Sequence, residues 1–422
     1  MSNEIGLSET QTALTVVFLL ISPLACGGLA LINTGLGRSR NAAHAMIAAL
    51  CAIAVASCVY FVCGHSWQGA PGEVGHSIML KGKSWGWIGA APAFFAGLPA
   101  DGSPSFLVAW MGLISVALAA MIPLGSGAER WKLGSICAST AIFSGVTFPL
   151  FAHWTWGGGW LAQLGFIDAG GAGSIHAVGG LTALAIVWLL GSRRGKYGSE
   201  GMPMAIPGHS IVFVLFGCII AAAGWLGLNS AGAILYQGVP PGRIALIAVN
   251  TILAACAAAL VGAVITRVRF GMPDASLTAN GWVGGLVAAS AGCASMPPAA
   301  AVLVGLVAGA LVTFSVEMLE LRLDVDDPGG SISVHGVAGI WGVLAVGLFG
   351  RIPAGQWLAQ VVGIATLIGF VLPVSWGLNW VLNRVAPLRV SREGERQGMD
   401  LFELGAGAYP DFITHTDEFM QR

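Results

Sequence analysis

The sequence predicts an all-α polytopic membrane protein of eleven transmembrane helices, built as two inverted five-helix repeats with an eleventh helix added. Three observations carry this. Only 9% of the 422 residues are charged and 56% are hydrophobic, at a mean hydropathy of +0.79, where a soluble chain carries about 25% charged residues. Apolar stretches of spanning length recur from end to end. One polar motif occurs twice, as Asp168-Ala169-Gly170-Gly171 followed by His176 and as Asp327-Pro328-Gly329-Gly330 followed by His335, each histidine eight residues after its aspartate.

Taken in order, the spans fall at roughly 11–33, 41–63, 105–124, 132–153, 174–191, 208–228, 243–266, 277–295, 298–320, 332–350 and 356–383. The polar N-terminus has no basic region before the first apolar run, so no cleavable signal peptide is expected. Charge sets the orientation. With the loop from Gly35 to Arg40 inside, fifteen of the nineteen Lys and Arg residues lie on the cytoplasmic side, from Arg38 to Arg422; only Lys81, Lys83, Arg243 and Arg351 lie outside. The N-terminus is then external and the tail cytoplasmic. The longest loop, from about Gly64 to Pro104, is external and reads as an interfacial cap through Trp67, Trp85 and Trp87. Glu129-Arg130-Trp131-Lys132 is a cytoplasmic turn. Residues 1–384 form the membrane domain, with repeats at about 11–191 and 208–350, and residues 385–422 a mixed-charge tail suited to a regulatory or oligomer-contacting arm.

The 62 glycines suit helices packed backbone to backbone. The eight cysteines sit almost entirely in apolar runs without a CxxC pair, which predicts small core residues and neither zinc nor disulfides. A net charge of −1 with no basic patch gives no sign of nucleic acid.

His176 opens the fifth span and His335 the tenth. Five spans apart is an odd number, so their helices run in opposite directions and both imidazoles point to the midplane. An ionisable group there is a functional candidate by default. Burial favours the neutral ring. Two neutral neighbours share one proton and present a donor and an acceptor, which suits a small hydrogen-bonding solute or a proton relay. Metal binding competes as a use, but no carboxylate or thiolate lies at ligand spacing in the same spans. Asp168 reads either as the cap of the fifth helix or as a cation attractor at the outer mouth. Asp327, with Asp326, reads as a cytoplasmic loop and cap.

Several runs together resemble the ammonium transporter (Amt/Mep/Rh) family: Trp156-Gly157-Gly158-Gly159, Asp168 to Gly171 with His176, Gly224-Trp225-Leu226-Gly227-Leu228-Asn229, Asp326-Asp327-Pro328 with His335-Gly336-Val337, Gly127-Ala128-Glu129-Arg130 and Gly398-Met399-Asp400. The resemblance covers about residues 11–410 and is nearer the Amt branch. It implies a multi-pass protein of the cell membrane, a homotrimer with one pore per subunit, and transport of ammonium or ammonia with no cofactor; methylammonium is a further amine expected if the altered gate described below loosens selectivity. Trp156 resembles the external tryptophan that stacks on the arriving cation, Asp168 the aspartate beside it, and His176 and His335 the twin pore histidines. Trp154 and Trp160 read as interfacial belt residues. Gly170, Gly171, Asn229 and Asp327 carry the structural part of the motif.

The sequence departs from the family in three places. Ser115 and Leu228 stand where two phenylalanines usually stack as an outer gate, and Gly232 replaces the serine that helps bind the cation. This predicts a gate that is smaller, more polar and open to water. The tail has Leu404-Gly405 in place of a histidine-glycine pair, which leaves regulation by a PII-type signal protein in question. Two other readings stand beside the transporter: an ammonium sensor of the same fold with little flux, and an amine channel of relaxed selectivity. Nothing resembles an enzyme's nucleophile–base pair.

Overall fold

The computed structural model describes residues 6–73, 75–353 and 355–409. Ten helices there are long and apolar enough to cross a membrane: α1 (Glu9–Leu36), α2 (Ser39–Gln68), α3 (Pro104–Gly127), α4 (Leu133–Leu164), α5 (Ala172–Leu190), α6 (Ile211–Gln237), α7 (Pro241–Phe270), α9 (Pro298–Arg322), α10 (Ile332–Phe349) and α11 (Gln356–Val385). The predicted eighth span is α8, Ala275–Ser290, at 16 residues. It is shorter than the expected 277–295 because the chain turns out of the helix after Ser290. The carbonyls exposed there are used: Ser290 accepts from Gly170 N–H and Ala291 from Ala169 N–H.

The halves repeat this exchange in the other direction, where Gly329 N–H donates to Gly125 near the end of α3. Each glycine-rich motif is therefore anchored on the third helix of the opposite half. The first helices of the halves, α1 and α6, pack along each other. Their backbones approach at Gly28 and Gly224, where an added Cβ would strike Ala221 and Ala25.

The same device joins the histidine-bearing helices α5 and α10. A Cβ on Gly180 would overlap the backbone of Gly336, the residue after His335. Gly180→Leu is expected to lose about 1–3 kcal/mol or more through overpacking, read as a lower melting temperature in detergent, with a loss of flux because His335 moves with Gly336.

Three expectations need correction. The loop from Gly64 to Pro104 holds an antiparallel hairpin, β1 (Gly75–Leu80) with β2 (Lys83–Gly89), which the tryptophan content alone did not reveal. Helix α6 continues well past the predicted end at 228, to Gln237, because Gly238 in the left-handed conformation supplies its stop. Of the cysteines only Cys26, Cys218 and Cys293 are buried, and Cys58 is exposed, so a place in an apolar run does not make a residue part of the core.

On the arginine-rich face the tail folds back on its own chain. Leu388 and Val390 bond the Arg130–Lys132 turn, and a short helix α12 (Arg392–Gln397) follows. Asp400 accepts from His44 N–H at 2.7 Å and Ala43 N–H at 3.1 Å, which caps the start of α2. Glu403 meets His44 Nε2 at 2.9 Å and Leu133 N–H at 2.9 Å; burial would raise its carboxyl, but these bonds hold it below the usual range. The part of the predicted tail from 410 to 422 lies outside the described residues.

Candidate functional site: a buried pair of histidines

Each histidine sits in a π-helical turn at the start of its helix, Ala172–Ala177 in α5 and Ile332–Val337 in α10. The motif builds both turns alike. Gly171 and Gly330 lie at φ 87° and 66°, a conformation that glycine takes without steric cost. Asp168 Oδ2 accepts from Gly173 N–H at 3.1 Å, Ser174 N–H at 2.7 Å and the Ser174 hydroxyl at 2.8 Å. Asp327 accepts from Ser331 N–H at 3.0 Å, Ile332 N–H at 2.8 Å and the Ser126 hydroxyl at 2.7 Å. Both aspartates are thus caps of the histidine-bearing helices. Burial pushes both carboxyls up, against the amide bonds that favour the charged form. Behind Gly170 lies Asn229, whose Nδ2 donates to Thr251 Oγ1; a Cβ on Gly170 would overlap the Asn229 amide oxygen.

The two turns bring the imidazoles together. His176 Nδ1 and His335 Nδ1 are 3.3 Å apart, with the rings tilted by 31°. His176 is 0% exposed and His335 1%. His176 also stacks on Trp225, at 4.9 Å between centroids and 8° between planes, and Trp225 lies 6.5 Å from the His335 centroid. The Nδ1 contact requires one proton between the two rings, so one histidine keeps a bare Nε2 and the other an Nε2–H. The buried Nε2 of His176 has no partner in the protein.

Trp156 is 3% exposed. Its Nε1–H donates to the Asp168 carbonyl at 2.8 Å, and its ring lies parallel to Tyr236, 4.7 Å between centroids and 5° between planes. Trp154 is no belt residue: it is 2% exposed and packs against Trp87, Trp160 and Phe370. No group of three or more His, Cys, Asp or Glu arranged for a metal ion occurs among the described residues.

Residues 13–409 match the model of the Ammonium Transporter Family. The chain belongs to the ammonium transporter family. It is 38% identical over 414 residues to the ammonium transporter Amt2 of Archaeoglobus fulgidus, covering 92% of this chain and 85% of that one. Among solved structures it is similar to a sensor Amt protein, with a TM-score of 0.86, 28% identity, and coverage of 93% and 98%. Mep2 of Candida albicans shares the fold, with a TM-score of 0.82 at 23% identity over 96% of this chain and 92% of that one.

Two of the departures read from the sequence, at Ser115 with Leu228 and at Gly232, have a definite packing. Ser115 and Leu228 have no accessible surface, and the Ser115 hydroxyl is buried without a partner. Neither side chain is open to water in this structure. At Gly232 an added Cβ would overlap the Ala169 carbonyl oxygen, so the motif backbone leaves no room for a side chain there. Sequence reading quoted Trp225 only as part of a run and passed over Tyr236. The signal was present: Trp225, Leu228, Gly232 and Tyr236 are spaced 3, 4 and 4 residues apart, which puts them on one face of α6.

Proposed function

We propose that this protein moves ammonium across the membrane by recruiting the cation near Trp156 and Asp168 and passing it as ammonia along His176 and His335. Ammonium cannot be carried intact between these rings. A bare cation in a water-free apolar site loses several kcal/mol or more of hydration that neutral imidazoles do not return. Neutral ammonia meets no such penalty. It donates to the bare Nε2 of one ring and accepts from the Nε2–H of the other, a match to the donor and acceptor that the shared proton fixes.

The observation that carries this reading is the unpartnered, fully buried Nε2 of His176 beside an Nδ1 pair. An orphaned ring nitrogen in the interior is costly, and a small hydrogen-bonding solute relieves it. Ser115, Leu228 and Gly232 line the passage between the mouth and the histidines in this account. The remaining assignments follow the same reading: a homotrimer in the cell membrane, N-terminus outside, with residues 1–384 as the transport domain and 385–422 as the cytoplasmic tail, and methylammonium as an accepted amine. The proton released at the outer site either stays outside or follows along the imidazoles.

An ammonium pulse on reconstituted protein in supported bilayers, with uptake into proteoliposomes alongside, tests it. The expected outcome is uptake above empty vesicles and growth of an ammonium-transport-deficient yeast strain that expresses the protein. Saturable ammonium binding by folded protein, with neither uptake nor growth, would overturn the transporter reading in favour of the sensor.

A further inference from the structure

Helix α6 presents aromatic rings at both ends of its conduit-facing stripe. Trp225 lies on His176 and Tyr236 lies on Trp156, with only Leu228 and Gly232 between them. Eleven residues of helix place the two aromatic contacts about 16 Å apart along the axis. The aromatic closure that Ser115 and Leu228 cannot make is thereby moved outward by roughly two turns of α6 from Leu228.

We propose that Tyr236 is the outer lid of this transporter: its phenol ring occupies the indole face of Trp156 and has to leave before a cation can stack there. This rests on the functional reading above, in which Trp156 receives the cation. At 3% exposure Trp156 offers no open face, so some covering group must move. The indole itself is held through its Nε1–H on the Asp168 carbonyl. Tyr236 is held by that stack and by apolar packing at the edge of the core, without a hydrogen bond, since its buried hydroxyl has no partner. It is only partly buried and lies in the last turn of α6, two residues before the left-handed Gly238. A ring flip there gives up one aromatic stack and some apolar packing but breaks no hydrogen bond. The approaching cation replaces the phenol through a cation–π contact with the same indole face.

The lid makes Tyr236 a competitor of the substrate. Its removal should lower the KM for ammonium, while a structural role alone would lower the maximal rate or the yield of folded protein. The experiment compares wild type, Tyr236→Ala, Tyr236→Leu and Tyr236→Phe in proteoliposomes, for ammonium and for methylammonium. Tyr236→Ala is expected to lower the KM about 2- to 10-fold, the factor set by one aromatic stack, and to raise methylammonium uptake relative to ammonium. Tyr236→Phe keeps the ring and should match wild type in both. If Tyr236→Ala does not fold, Tyr236→Leu, which fills the space without a π face, is read by the same criteria. An unchanged KM and amine ratio in the variant so read, or a Phe variant that shifts as far as that variant, would overturn the lid while leaving the transporter intact. Absence of flux in wild type would remove the functional reading and the lid together.

Discussion

Replacement of either central histidine by alanine is expected to reduce ammonium flux about 10- to 100-fold, the equivalent of one or two lost hydrogen bonds at the solute. His176→Ala leaves His335 Nδ1 without its 3.3 Å partner and removes the ring that Trp225 stacks on. The remaining imidazole is then free to take either tautomer, and the fixed donor–acceptor pair is gone. Glutamine separates two roles. Its amide carries a donor and an acceptor but cannot pass a proton on, so His176→Gln and His335→Gln should keep more uptake than alanine if the pair binds ammonia. If the pair relays the proton instead, the glutamine variants should lose current as completely as the alanine ones. Proteoliposome uptake and bilayer current on the same preparations distinguish these outcomes. Alanine variants that fold and transport at the wild-type rate would remove the pair from the pathway.

The duplicated motif was legible because its parts are local. Asp168 and Asp327 cap turns four to six residues ahead, and the left-handed Gly171 and Gly330 are set by the chain beside them. A separation of five spans, an odd number, suffices to run the two histidine-bearing helices in opposite directions. What escaped notice depends on the other half of the molecule. The close of α8 at Ser290 follows from a docking site for Gly170 that lies more than a hundred residues away. The packing at Gly232 depends on the backbone of Ala169 filling the space beside it, and a glycine in a sequence does not say what fills it. Tyr236 lay beyond the expected end of its helix, so its register with Trp225 went unread. The hairpin from Gly75 to Gly89 lacks the two-residue turn pairs that announce such structures, since its turn is Lys81-Gly82 with a lysine at φ 51°.

The second large effect is expected on the arginine-rich face, where Asp326→Ala should cost about 3–5 kcal/mol of stability by stranding buried guanidinium groups. Asp326 is 0% exposed. It accepts from Arg193 through Nε and Nη2, both at 2.9 Å, and from Arg193 N–H at 2.8 Å. The fully buried Arg130 reaches the Asp326 carbonyl at 2.8 Å and the Gly191 carbonyl at 2.7 Å. Arg193 and Arg38 both face Glu129, which is held at φ 71°, a strained conformation that persists only under such constraint. Removing the carboxylate therefore strands Arg193 and takes away the charge 3.8 Å from Arg130 Nη1, while the Arg130 bond to the main-chain carbonyl remains. A denaturant titration in detergent reads the loss. The double variant Asp326→Ala/Arg193→Ala should lose less than the two single losses combined.

The pH dependence of this effect has a definite sign. Burial alone would raise the Asp326 carboxyl, but the Arg193 hydrogen bonds and the Arg130 charge outweigh it and hold it below the usual range. Its contribution is then complete above the unfolded value near 4 and disappears as pH falls through the lower folded value. Wild type should lose this increment only in acid below about pH 4, whereas Asp326→Ala lacks it at every pH, so the two should converge in acid. The next residue, Asp327, caps the turn that carries His335. A variant that loosens Asp326 should therefore lose flux as well as stability, and Arg194→Ala, on the same face but bonded to Glu395 only through its main chain, should lose little of either.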